Sequence, residues 1–367
     1  MMNWKFQWIE LTQESPVVQA AVDWQKQFTT ALDARVFQEW PLIVTWMQTK
    51  GVALGITLRL CQGENQNGTK ALIPFGCVPA KWRNGWQRRL VGIGEPHFDF
   101  QDPLFSAQNG NVIDRRGFWE GLERFLEESG EFDSAMLLRL HGEIASQNAE
   151  IDDAKEAPFI EMSRFASWAE YFSSLPATHR TDIRRQMRRL ESQGELSFVI
   201  YEHESQLEEV LAELSKMRAA YERLWFKQPS GKLFQSPGTW EFYLEFVPKL
   251  LSSGFLHVSV LRLNGRSISW HFGFLHRRVL HYYKPTYESD VEKFSPGKIH
   301  LSRLLEHGFE NEWLEFDFGG GTEDYKYRWA TGARTLSRWQ WNSKTFRARL
   351  GRTFRRWVKS ILLLFSK

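Results

Sequence analysis

The sequence predicts a two-lobed α/β protein, and three observations predict it. Its 367 residues exceed what one ordinary core organises. Helical and strand-like runs alternate in both halves. Between the halves, residues 141–158 are polar and acidic and show no periodicity, which reads as an interdomain linker. The expected division is 1–155, 156–345 and a basic tail at 346–367.

In the first lobe, a helical pattern over 17–32 precedes strand-like runs at 42–47 and 53–60. A polar turn at 64–70 leads to a strand at 71–78. Phe118, Leu122, Phe125 and Leu126 set helical spacing over 118–128, and 134–140 reads as a strand.

The second lobe begins with a short helix at 166–175 and a longer one at 181–193, closed by Gly194. A strand follows at 196–201. Ser205, with Glu208 three residues on, opens a long helix over 206–223. After a helix at 240–251 come three strands, 256–263, 267–276 and 279–285, the first two joined by an Asn264-Gly265 turn. Ser295–Gly297 opens a helix over 299–310. A last strand, 313–318, runs into Gly319-Gly320-Gly321.

Composition narrows the class. Apolar residues make up 42% and charged residues 25%, which is globular and not disordered. The two cysteines, Cys61 and Cys77, match no zinc spacing, so no metal is expected and the chain reads as reduced and cytoplasmic. The first ten residues lack a signal-peptide apolar region, and no apolar run reaches the roughly 18 residues of a membrane span. Zinc-protease, serine-hydrolase and P-loop patterns do not occur. Residues 345–367 hold seven Lys/Arg and no acid, so the basic balance belongs largely to the tail.

Four constellations could carry chemistry. The first is Phe294-Ser295-Pro296-Gly297-Lys298. Pro suits a first helical turn, Gly lets a backbone come close, and free N–H groups at a helix start bind phosphate. Its other reading is a plain helix entry with Ser295 as N-cap. The second, Phe316 to Trp329, places three glycines and then Glu323, Asp324, Tyr325, Lys326 and Arg328 at the end of a strand. Catalytic groups gather at such ends, though a solvated glycine turn reads the same way. In the third, Arg180, Arg184, Arg185, Arg188 and Arg189 share one helical face. That face holds either an anion or a solvated surface partly paired with Asp182 and Glu191. The fourth is the tail, where Arg347, Arg349, Arg352, Arg355, Arg356 and Lys359 interleave with Phe346, Leu350, Phe354, Trp357, Val358 and Ile361. It suits an anionic membrane surface, or docking onto the protein's own body or a partner. His271 and His281 lie on adjacent predicted strands; a histidine there is either a base or a satisfied core residue.

Taken in order, these residues resemble the acetyltransferases linked to cellulose and exopolysaccharide synthesis (the CelD/BcsL type). That family belongs to the GNAT superfamily and is related to Fem-type peptidoglycan aminoacyltransferases. The resemblance spans about 160–340. It is carried by Arg188–Gly194, the helix with Trp240, Phe242 and Tyr243, the Tyr287…Phe294–Gly297 segment, and the Asp317–Gly319…Glu323–Trp329 block. It implies an α/β (α+β) fold of tandem GNAT-like lobes, each a mixed sheet flanked by helices. It also implies an acyltransferase using acyl-CoA, such as acetyl-CoA, with the pyrophosphate on Phe294, Ser295, Gly297 and Lys298. The usual Q/R-x-x-G-x-G/A loop is absent, and only Gly297 and Lys298 offer comparable chemistry. The implied base is Asp317 or Glu323, with His271 in reserve, and Tyr325 would protonate the leaving thiolate. Arg184, Arg188, Tyr243, Tyr287, Lys326 and Arg328 would bind substrate, Lys326 and Arg328 an anionic one, and the acceptor would be a saccharide or lipid-linked saccharide at the inner membrane face. Alternatives are a Fem-like aminoacyltransferase using charged tRNA and a non-catalytic scaffold of a polysaccharide synthesis complex.

Overall fold

The computed structural model describes residues 3–9, 14–31, 33–81, 86–107, 112–141, 144, 146–225 and 229–354. They form two compact units, Met1–Lys155 with Thr335–Lys367, and Glu156–Arg334.

The first unit is a mixed sheet with helices. Its strands are β1 (Trp4–Ile9), β2 (Thr57–Asn65), β3 (Lys70–Val78), β4 (Arg89–Gly92), β5 (Leu104–Ser106) and β6 (Ser134–His141). They run in the order β1-β2-β3-β4-β6, with β5 paired to β3 and β13 (Gly332–Asn342) beyond β6. β4 and β6 are parallel, and the other pairs are antiparallel. Helices α1 (Glu14–Thr30), α2 (Trp40–Trp46), α3 (Val52–Leu54) and α4 (Arg115–Ser129) complete it. Phe118, Trp119, Leu122 and Leu126 of α4 pack with Trp4, Leu137 and Trp339 in one core.

Two expectations are corrected here. Residues 42–47, read as a strand, are helical: Pro41 presets the first turn of α2, and Leu42, Ile43 and Trp46 bury one face. The stretch 141–158, read as a linker, overlaps β7 (Ala149–Glu161). Its acids are there for pairing rather than solvation: Arg338 binds Glu150 and Asp153, and Asp152 accepts the Arg139 N–H at 2.9 Å. The division between the units falls after Lys155 and after Arg334. The start of the tail, 346–354, is helical and groups with the first unit; residues 355–367 lie outside the described residues.

The second unit contains α5 (Trp168–Ser174), α6 (Ala177–Glu191), β8 (Leu196–Tyr201), α7 (Leu207–Leu224), α8 (Thr239–Ser252), β9 (Leu256–Leu263), β10 (Arg266–His276), β11 (Val279–Tyr287), α9 (Pro296–Glu310), β12 (Glu315–Asp317) and α10 (Asp324–Tyr327). Its sheet order is β7-β12-β11-β10-β9-β8. Asn264 and Gly265 both take positive φ, as the two-residue hairpin requires. The β10–β11 turn does the same with Arg277 and Arg278, which sequence alone did not mark. Ser205 does not cap α7; a short 3-10 turn, Glu204–Gln206, precedes it.

The two faces of this sheet have different chemistry. On one side, Leu301, Leu304 and Leu305 of α9 pack on Leu280, Tyr282, Phe316 and Phe318. On the other, the buried Glu213 of α7 accepts from Trp270 Nε1 at 2.7 Å and Ser267 Oγ at 3.1 Å, and pairs with Lys216 and Arg262. Alternation along each strand therefore assigns every side chain to the α9 face or to the α7–α8 face.

Candidate active site

The site begins with a strand pair that separates. β11 and β12 are parallel, matching Val279 with Glu315, Leu280 with Phe316 and His281 with Asp317. β11 then runs on to Tyr287, while the chain after Asp317 follows β7: the Phe318 N–H donates to Pro158 O and the Gly321 N–H to Glu156 O. A gap thus opens immediately beyond the His281–Asp317 rung.

That rung brings two titratable side chains together. Directly paired residues project to the same face, and His281 Nδ1 lies 3.8 Å from Asp317 Oδ2. Asp317 is fully buried, and its Oδ1 accepts the Gly319 N–H at 2.8 Å, which fixes the carboxylate. Gly319 sits at φ 66, where a side chain would be strained. Tyr282, next in sequence to His281, points to the α9 face. Tyr283 returns to the α7–α8 face, with its hydroxyl 3.3 Å from that of Tyr243 on α8. His281 and Asp317 therefore share a face with the Tyr243–Tyr283 pair.

His271 does not join them. It is fully buried and stacks on Tyr282 with ring centroids 4.7 Å apart, on the α9 face. Burial, reinforced by His257, His300 and His281, holds its pKa well below the usual histidine value. A neutral ring sealed beneath a helix stands away from Asp317, and it is His281 on the next strand that lies beside that carboxylate. His281 was visible in sequence, but nothing in sequence predicted that it would pair with Asp317.

The glycine loop explains two more candidates. Lys326 is buried, and its Nζ donates to Gly320 O and reaches Glu323 Oε2, both at 2.9 Å. It closes the loop on itself, so its ammonium is committed to the loop rather than to an anionic substrate. Glu323 is exposed and held by this lysine, away from the buried rung. Tyr325 lies with its ring 6.5 Å from Phe318. Burial, then the charge of Glu323, raises its pKa, so the hydroxyl stays protonated and can donate.

The predicted phosphate site is the start of α9. Ser295 adopts φ 54, ψ 51 and gives no side-chain cap, and no acid lies in the first turn. The helix N-terminus is therefore not occupied by one of the protein's own carboxylates, which fits a pyrophosphate. A Cβ on Gly297 would meet Tyr287 Cδ1 at 3.3 Å. The Tyr287 hydroxyl donates to Glu292 at 3.3 Å.

Charge gathers beside this helix start. α6 lies along α9 and buries Ile183, Gln186 and Leu190, so Arg184, Arg185, Arg188 and Arg189 face outward. Arg189 sits over the Phe294 ring at 5.7 Å and Arg184 over Phe172 at 5.2 Å. Asp182 ion-pairs with Lys298 and Arg185. Burial, then the cations Lys298 and Arg328, lowers the pKa of His179 on α6. Lys298 and Arg328, far apart in sequence, thus act on one neighbourhood. Among the described residues no cluster of metal-ligating side chains occurs.

Residues 177–327 match the family model described as an acetyltransferase (GNAT) domain. No curated protein matches the chain by sequence. Among solved structures, FemX shares 11% identity over 95% of this chain and 100% of its own, with a TM-score of 0.56. A Bacteroides thetaiotaomicron protein of unknown function shares 9% over 93% and 99%, with a TM-score of 0.54. L-PGS from Bacillus licheniformis shares 14% over 86% and 95%, with a TM-score of 0.50. At such identities the likeness is one of fold. The matched segment contains the separating strand pair, the uncapped helix start and the glycine loop. The second unit carries an acetyltransferase (GNAT) domain.

Proposed function

We propose that the second unit transfers an acyl group, acetyl in the simplest case, from acyl-CoA to a hydroxyl or amine of a saccharide or lipid-linked saccharide in cell-envelope or exopolysaccharide synthesis. The observation that carries the reading is the His281–Asp317 rung at the mouth of the gap between β11 and β12. Acyl-CoA would supply the acyl group as a thioester. Its pyrophosphate would be held by the free N–H groups at the start of α9, by Lys298 and by outward arginines of α6.

His281 takes the proton from the attacking hydroxyl or amine as that atom bonds to the acyl carbon. Asp317, within ion-pair range, orients the ring and stabilises its charged form. Tyr325 returns a proton to the departing sulfur. The buried Tyr243–Tyr283 pair lies on the same face of the sheet and packs behind the rung. The acceptor class follows from the resemblance to exopolysaccharide acetyltransferases.

Calorimetry with acetyl-CoA and longer acyl-CoAs, on the protein and on Gly297→Trp, tests the donor. Micromolar binding abolished by the variant is expected. No binding of any acyl-CoA would sink the reading. It would turn attention to a Fem-like aminoacyl transfer from tRNA, for which the outward arginines of α6 are the supporting observation. That second reading requires tRNA affinity falling steeply with salt.

A further inference from the structure

We propose that the helical stretch 346–354, together with Trp86, docks the first unit onto an anionic lipid surface. One side of this stretch is fixed to the body of the unit. Ala348 is buried, its carbonyl accepts Gln87 Nε2 at 3.1 Å, and Arg347 reaches Asp133 at 2.7 Å. Docking onto the protein's own body therefore accounts for that side alone. The outward side has a different composition. Phe346 is 76% exposed, Leu350 54% and Trp86 59%. Phe346, Leu350 and Phe354 recur every fourth residue and so form one stripe, and the Phe354 ring lies 5.2 Å from that of Trp86.

Charge decides what this stripe fits. Residues 344–359 contain seven Lys/Arg and no acid. Arg347 is neutralised by Asp133, while Lys344 and Arg349 stand exposed beside the stripe. The sequence continues in the same manner, with Trp357, Val358, Ile361 and Phe365 among Arg355, Arg356 and Lys359. A second copy of this face would bring like charges together. An anionic lipid surface neutralises them and receives the aromatic side chains at headgroup depth. No helix among the described residues is long and apolar enough to cross a membrane, so this surface would lie on the bilayer rather than through it. The proposal is independent of the acyl-transfer reading.

The test is flotation of the full chain with phosphatidylcholine vesicles, with or without about one-third phosphatidylglycerol. Binding to the anionic vesicles alone, released by salt, is expected. Phe346→Ser with Leu350→Ser should lower partitioning about tenfold or more. Lys344→Glu with Arg349→Glu should lower it at least as much, at about fivefold per charge removed. Thermal melting checks that the variants fold, and their acyl-CoA isotherms should match that of the parent. Equal binding to neutral vesicles, binding to neither, or undiminished binding by both variants would overturn the proposal. So would self-association that Phe346→Ser with Leu350→Ser abolishes while vesicles stay unbound.

Discussion

In the first unit, an antiparallel meander ends in β4, crosses through α4 and returns as β6, parallel to β4. In the second unit, the meander ends in β11, crosses through α9 and returns as β12, parallel to β11. The connections match and the sites do not. β4 ends at Gly92, one residue past its last partner on β6, so no gap opens there, whereas β11 continues six residues past His281. The start of α4 is capped by Asp114, whose side chain accepts the Gly117 N–H at 2.9 Å, so a carboxylate already occupies the place a phosphate would take. The start of α9 has no side-chain cap and no acid, and arginines stand beside it. The comparison teaches that the crossover is only a frame. Strand length beyond the pairing and the occupant of the helix start distinguish the unit to which we assign the acyl donor from the other.

The largest predicted effect separates the two units by pH. His257, His271 and His300 are buried between α9 and the strands of the second unit, and His300 shares hydrogen bonds with Ser259 and Ser269. Burial lowers the pKa of His257 and His300 to about 3 and holds that of His271 well below the usual histidine value. All three stay neutral when folded but protonate near pH 6.5 when unfolded. Their contribution is complete above that pH and is lost as pH falls toward 3. Three such groups give a slope of about 4 kcal/mol per pH unit below about pH 6. Hydrogen exchange should show the second unit losing protection before the first as pH falls from 7 to about 4.5; the reverse order would break the comparison.

Next comes the rung. His281→Ala and Asp317→Asn should each lower kcat about 10²- to 10⁴-fold. Full activity in both would remove the rung from the mechanism, while His271→Gln should act mainly on stability. Removing charge beside α9 should matter less. Arg184→Ala with Arg188→Ala should weaken acyl-CoA binding several-fold and flatten its salt dependence. An isotherm unchanged at every salt concentration would show that these arginines face away from the ligand. The smallest effect tests the first unit. Asp114→Ala should cost about 1 kcal/mol of stability, lowering Tm with the acyl-CoA isotherm unchanged. A lost isotherm would mean that the start of α4 takes part in binding after all.

Legibility differed between these regions for a physical reason. The second unit was readable because its elements are marked locally. Asn264-Gly265 forces a hairpin, Pro296-Gly297 opens a helix, and the apolar residues of α8 and α9 keep helical spacing. In the first unit, residues 42–47 had the composition of a strand, and only the burial of Leu42, Ile43 and Trp46 on one side made them a helix. β7 was missed because its charged residues pair across strands, which a linear reading takes for solvation.

By itself the sequence determined an α/β fold with a helix start at Ser295–Lys298 and a glycine loop at the end of a strand, because those signals are carried by neighbouring residues. Tertiary structure alone decided that His281 rather than His271 stands beside Asp317, and that Lys326 serves its own loop. The first depends on strand register, where one residue of offset moves a side chain to the other face of the sheet, and register is set by contacts between segments far apart in the chain; the second depends on how the glycine loop folds back on the short helix that follows it.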